Sequence, residues 1–151
     1  MGLSEIIKDK AVRAKLTTEC TKLIDRQVAA KGGLSGMAMK TAYGVIKGVG
    51  AGYIPGAIDR ILPDACRALD PIWQEGKAAG DPVKYLSDHS DRTADSLLSV
   101  TDARIQKTNN GVVGATYKKL RKSVKTDVEA AVPDLAQVIN SCAVESLQSS
   151  K

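Results

Sequence analysis

An all-α fold is the architecture this sequence predicts, and three observations predict it. No segment alternates strictly between apolar and polar residues, as a half-buried strand would. Apolar residues recur instead at three-to-four spacing, the period of one helix face. Aromatic side chains are scarce, with no Phe, one Trp and four Tyr, so the core must be built from Leu, Ile, Val and Ala. That composition suits closely packed helices better than an aromatic-rich sheet. The expected form is an antiparallel multi-helix bundle of five to seven helices, some short or proline-kinked. A chain of 151 residues suits one core, so a single helical domain is expected over 1–147, with a frayed tail at 148–151. No apolar run is long enough for a transmembrane segment.

The elements follow in order. Ser4 is placed to cap a short first turn through Ile6 and Ile7. From Asp9 a helix carries the stripe Val12, Leu16, Cys20, Leu23 or Ile24, then Gln27 or Val28, with Asp9 four residues before Arg13. Gly32-Gly33 supplies its stop. Ser35 is the expected cap of a second helix from Gly36 to Val49, interrupted or bent at Gly50-Ala51-Gly52. A third begins near Pro55, and Pro63 and Pro71 are expected to divide it, with a turn near Asp70-Pro71. Gly76 to Asp81 reads as a loop, and Asp81-Pro82 as cap and first residue of a long helix ending at Asn109-Asn110-Gly111. The last segment, from Val112, keeps a nearly seven-residue rhythm that Pro133 must kink or restart.

Eight of the thirteen glycines fall between Gly32 and Gly56. Gly36, Gly44, Gly48, Gly52 and Gly56 form an i,i+4 row, which on one helix would be a face without side chains. Such a face fits close helix packing within the chain, a homodimer seam, or a membrane-surface role. The segment 34–58 has two lysines and no acidic residue, and carries Met37, Met39, Tyr43, Ile46 and Tyr53.

Motifs with chemistry are few. Gly33 to Thr41 ends in Lys-Thr after glycines, like a phosphate-binding loop. The motif needs glycine before the lysine and a strand in front, whereas Met39 precedes Lys40 and a helix precedes the loop. The single histidine, His89, lies near Asp88, Asp91 and Asp95, with no metal-binding spacing around it; an exposed helix with Asp88 paired to Arg92 accounts for the cluster. Cys20, Cys66 and Cys142 fall on apolar stripes, where cysteine behaves as a small hydrophobe and not as a nucleophile. Lys118, Lys119, Arg121, Lys122 and Lys125 form the densest basic face. With only Tyr117 beside it, that face reads as solvated, and the balance argues against nucleic acid. No catalytic, cofactor-binding or metal-binding residue is assigned, and no cofactor is expected.

Four runs, LSEIIKDK, VAAKGGLSGMAMKTAY, ADSLLSVTDAR and VEAAVPDL, occur in an order and spacing that resembles a family of small bacterial proteins of unassigned function. The resemblance covers Leu3 to about Ile139. It implies a single-domain, all-helical, cytoplasmic protein, and carries over no activity or site residue. The absence of an apolar leader and of a disulfide framework points the same way. The expected function is that of a non-enzymatic interaction or small-ligand-binding module, with a homodimer or another protein as partner. The alternative is a peripheral lipid-surface module that uses the glycine-rich basic segment 34–58.

Overall fold

The computed structural model describes residues 2–149, and the side chains of all of these except Lys122 and 145–149. Among the described residues every regular element is an α-helix: α1 (Leu3–Ile6), α2 (Lys10–Ala30), α3 (Gly33–Lys47), α4 (Tyr53–Ala78), α5 (Pro82–Asp88), α6 (Ser90–Gln106) and α7 (Gly111–Ser149). The expected tail at 148–151 is helical to Ser149, and Ser150 and Lys151 lie outside the described residues.

A four-residue helix does not persist on its own, and α1 is held from outside. The Asp70 carboxylate of α4 accepts hydrogen bonds from the Leu3 amide (2.5 Å), the Ser4 amide (3.1 Å) and the Ser4 hydroxyl (2.6 Å). Ser4 is therefore a donor to the cap and not the cap itself. Leu3, Ile6 and Ile7 are buried beneath this anchor, at roughly 1.5–3 kcal/mol for each full burial. Asp9 caps α2, accepting from the Ala11 and Val12 amides at 2.9 and 3.3 Å. Arg13 is thereby left to pair with Asp59 of α4 (2.8 Å), not with Asp9.

Gly33, at φ 73°, reverses the chain between α2 and α3. The residue in the N-cap position of α3 is Gly32, so the expected cap at Ser35 is displaced and the helix starts earlier than expected. It also ends earlier, at Lys47, before the expected Val49. The expected break after Pro63 and Pro71 is absent, for α4 runs through both to Ala78. Gly76, expected in a loop, lies in the last turn of α4, where a Cβ would come within 2.7 Å of Pro82 Cα. A close approach of α4 and α5 therefore occurs at Gly76, a glycine outside the expected row. Asp81 caps α5 through the Lys84 amide (3.1 Å), with Pro82 in its first turn as expected.

The long helix expected after Pro82 is divided at His89 (φ −114°, ψ 41°) into α5 and α6. Fully buried Thr93 stabilises the break, since its hydroxyl lies 2.9 Å from the His89 carbonyl oxygen and 3.4 Å from that of Leu86. At Pro133, where a kink or a restart is expected, α7 runs through without a restart.

Two long helices organise the packing. α4 packs on α1, α2, α5 and α6, and more lightly on α3; α7 packs on α1, α2, α3, α5 and α6. α4 and α7 do not pack closely on each other, and the elements between them hold them apart. One hydrophobic cluster joins Leu3, Leu16, Leu69, Ile72, Trp73, Leu86, Val132 and Ile139, among others.

Candidate functional site

Among the described residues, the space between α4 and α7 is one of several concave features of similar size. It is a cavity of about 580 Å³, walled by Leu16, Cys20, Leu23 and Val28 of α2, Ile58 to Leu69 of α4, Leu97 and Leu98 of α6, and Val124 to Ile139 of α7. Met39, a buried side chain of α3, also lines it. Each wall is the apolar stripe of an ordinary amphipathic helix, and the stripes meet around a space because the two longest helices are separated.

Polar groups reach this cavity at its margins. Lys31 and Asp127 form an ion pair there, with Lys31 Nζ 2.6 Å from both carboxylate oxygens. Thr101 stands at another margin, with its hydroxyl 2.8 Å from that of Tyr117. The Tyr117 hydroxyl donates to Asp102 (2.6 Å), which also accepts from Arg121 Nε (2.8 Å). Arg121 first, with Tyr117 assisting, holds the Asp102 carboxyl below the usual carboxylate range; burial, then Asp102, pushes Tyr117 up to about 12.

Cys20 and Cys66 both line the cavity, and burial raises each thiol from its ordinary 9.0 to about 12. At neutral pH they are protonated, so they are apolar wall and not nucleophiles. Cys142 is buried on α7.

A second cavity, about 570 Å³, adjoins the first and shares Ile58, Ile61 and Thr101 with it. It lies where α4 begins, α6 ends and α7 begins. Its remaining walls include Ile46 of α3, Ile54, Ile105 and Val113, with Arg60, Arg104 and Lys107 around it.

The glycine row does not form a common face inside the chain. Gly36 and Gly44 lie in α3, Gly48 is its C-cap, Gly52 precedes α4 and Gly56 lies within α4. A Cβ on Gly44 or Gly52 would meet nothing within 4 Å, and one on Gly56 would meet only the Arg60 guanidinium. Gly36 is the exception, since a Cβ there would stand 2.3 Å from the Lys31 carbonyl oxygen. The i,i+4 row presumed one unbroken helix, and the turn at 48–52 removes that phase.

Of the basic face on α7, Arg121 is engaged by Asp102, and Lys125 by Asp91 (2.5 Å) and Asp95 (2.9 Å) of α6. Lys118 and Lys119 are exposed, and the Lys122 side chain lies outside the described residues. The hydrogen bonds that it donates to Asp91 and Asp95 hold the Lys125 ammonium well above its usual range. Much of the expected face is therefore a fastening between α6 and α7.

The His89 surroundings are equally occupied. Its ring stacks on Tyr85 (centroids 4.1 Å apart), and Nδ1 lies 2.8 Å from the Tyr85 carbonyl oxygen. Asp88 pairs with Lys84 (2.7 Å), while Arg92 pairs with Glu75 of α4 (2.8 Å) and not with Asp88 as expected. Among the described residues no group of three or more His, Cys, Asp or Glu is arranged to hold a metal ion. No helix among them is long and apolar enough to cross a membrane.

Sequence comparison matches residues 3–143 to the model of a family described as "Family of unknown function (DUF6918)". No curated protein and no solved structure matches the chain.

Proposed function

The chain belongs to that family of unknown function, and from this premise we propose that it is a non-enzymatic module that binds a small apolar molecule between α4 and α7. The cavity carries the reading. Protein interiors hold few voids larger than a water molecule, and ligand pockets range over about 300–1,000 Å³ with mainly apolar walls. The space of about 580 Å³ is partly open to solvent, so part of its apolar wall stays in contact with water. An apolar occupant would remove that surface from water, with α3 beside it, since Met39 is the one large buried side chain that α3 contributes. The free thiols of Cys20 and Cys66 support a reducing compartment, the cytoplasm.

Dodecanol is a suitable uncharged probe. Its binding should raise the melting temperature and slow the alkylation of Cys20 and Cys66 by a small apolar thiol reagent. No saturable binding by calorimetry, with alkylation unchanged, would refute the reading.

A second reading rests on the outer face of α3. Leu34 is 85% exposed and Met37 66%, with Val45 also exposed and Lys40 and Lys47 on the same short helix. An apolar strip beside lysines suits an anionic lipid surface. Flotation with phosphatidylserine vesicles tests this directly, and Leu34→Ser with Met37→Ser should abolish binding if the strip inserts.

A further inference from the structure

We infer that the apolar ligand carries an anionic head, held by Arg60, Arg104 and Lys107 where the second cavity opens; this rests on the cavity reading above and adds the ligand's charge. Four observations converge. The two cavities share Ile58, Ile61 and Thr101 as lining, which puts these cations next to the space between α4 and α7. Among the described residues, the second cavity is lined by three cationic side chains and by no Asp or Glu. Among the described residues, none of the three cations forms an ion pair, whereas Arg13, Arg67, Arg92 and Arg121 each have a carboxylate partner. Finally, Asn110 caps the start of α7 at the same cavity, accepting from the Val113 amide at 3.1 Å. The positive end of a 39-residue helix therefore lies beside the cations.

The arrangement suits a single-chain amphiphile whose carboxylate or phosphate meets the arginines through charge-assisted hydrogen bonds. Its alkyl chain lies along Ile58 and Ile61 in the space between α4 and α7. Arg60 and Lys107 are exposed and Arg104 is half-buried, so the head stays at the solvent boundary and avoids the penalty of burying a charge.

Arg104 and Lys107 also stand at the C-terminal end of α6, where cations complement the helix dipole. A purely structural role would lower stability on substitution without changing head-group preference, and the test separates the two. Dodecanoate, dodecyl phosphate and dodecanol are titrated into the wild type and into Arg60→Gln/Arg104→Gln/Lys107→Gln, at low and at high salt. The inference expects both anions to bind wild type about tenfold or more tighter than the alcohol. The triple variant should lose that preference while it keeps dodecanol affinity, and salt should weaken only the anions. If the variant fails to fold, Arg60→Gln and Lys107→Gln singly should each lower the preference by about threefold. Equal affinity for alcohol and anion, or a preference that survives the variants, overturns the charge assignment and leaves the cavity reading intact. Binding of none of the three ligands overturns both. Of the anions, a preference for dodecyl phosphate points to a phosphorylated lipid head, and one for dodecanoate to a free fatty acid.

Discussion

A methyl group added at Gly36 would place a Cβ 2.3 Å from the Lys31 carbonyl oxygen, and one at Gly76 would stand 2.7 Å from Pro82 Cα. Both neighbours are backbone atoms and cannot turn aside. Gly36→Ala and Gly76→Ala should each destabilise by about 1–3 kcal/mol in denaturant titrations. Gly44 is exposed with open space around it, so Gly44→Ala should instead stabilise by about 0.4–1 kcal/mol. The sign at Gly44 also tests a seam between two copies, since a methyl group there would then weaken the association. The thiols give a pH dependence at the same scale. Folding holds Cys20 and Cys66 neutral up to about 12, whereas the unfolded chain ionises them near 9.0. Their contribution is complete below about pH 9 and is lost as pH rises toward 12. Chemical denaturation across that window should show stability falling in the wild type and falling less steeply in Cys20→Ala/Cys66→Ala. Rapid alkylation of both thiols at neutral pH would contradict the burial that causes the shift.

Among the elements, α4 shows why some boundaries are written in the sequence and others are not. Gly32-Gly33, Asp81-Pro82 and Asn109-Asn110-Gly111 act within a few residues, and each ends or starts a helix where local chemistry puts it. Pro63 is different. A proline in a helix interior cannot bond the carbonyl four residues earlier, here that of Asp59. Arg13 supplies the missing donor, with Nη2 2.7 Å from the Asp59 carbonyl oxygen and Nε 2.8 Å from its carboxylate. The rescue comes from a helix 46 residues away in sequence, which no local reading can see. Pro71 and Pro133 are exposed, where water can reach the freed carbonyl. The division at His89 was hidden for a similar reason, because Thr93 satisfies the broken turn only once buried. Arg13→Ala should cost about 1–2 kcal/mol. In a Pro63→Ala background the restored amide bonds the Asp59 carbonyl itself, so the cost should fall. Additive effects in the double-mutant cycle would mean that Arg13 acts only through the exposed Asp59 carboxylate.

For the whole molecule, the cavity depends on α4 and α7 being kept apart, and no single stripe in the sequence could reveal that. Leu62, Cys66, Val128 and Leu135 read as core positions on their own helices. Whether such stripes meet in a filled core or around a space is decided by how four helices are spaced. Ala131 makes the distinction measurable, for it lines the cavity from α7 and is only half-buried. If the space persists in solution, the larger side chain of Ala131→Leu enters it without displacing a neighbour. Cavity-filling substitutions of this kind commonly add about 0.5–2 kcal/mol. The same side chain would occupy the path of an apolar ligand. The variant should therefore melt higher than wild type and bind dodecanol more weakly, in one cooperative transition if the helices share one core. If the walls instead close on each other in solution, the added atoms have no room, and overpacking would lower the melting temperature, typically by about 1–3 kcal/mol of stability. Stability and affinity moving in opposite directions is the outcome that only a ligand-sized space between α4 and α7 produces.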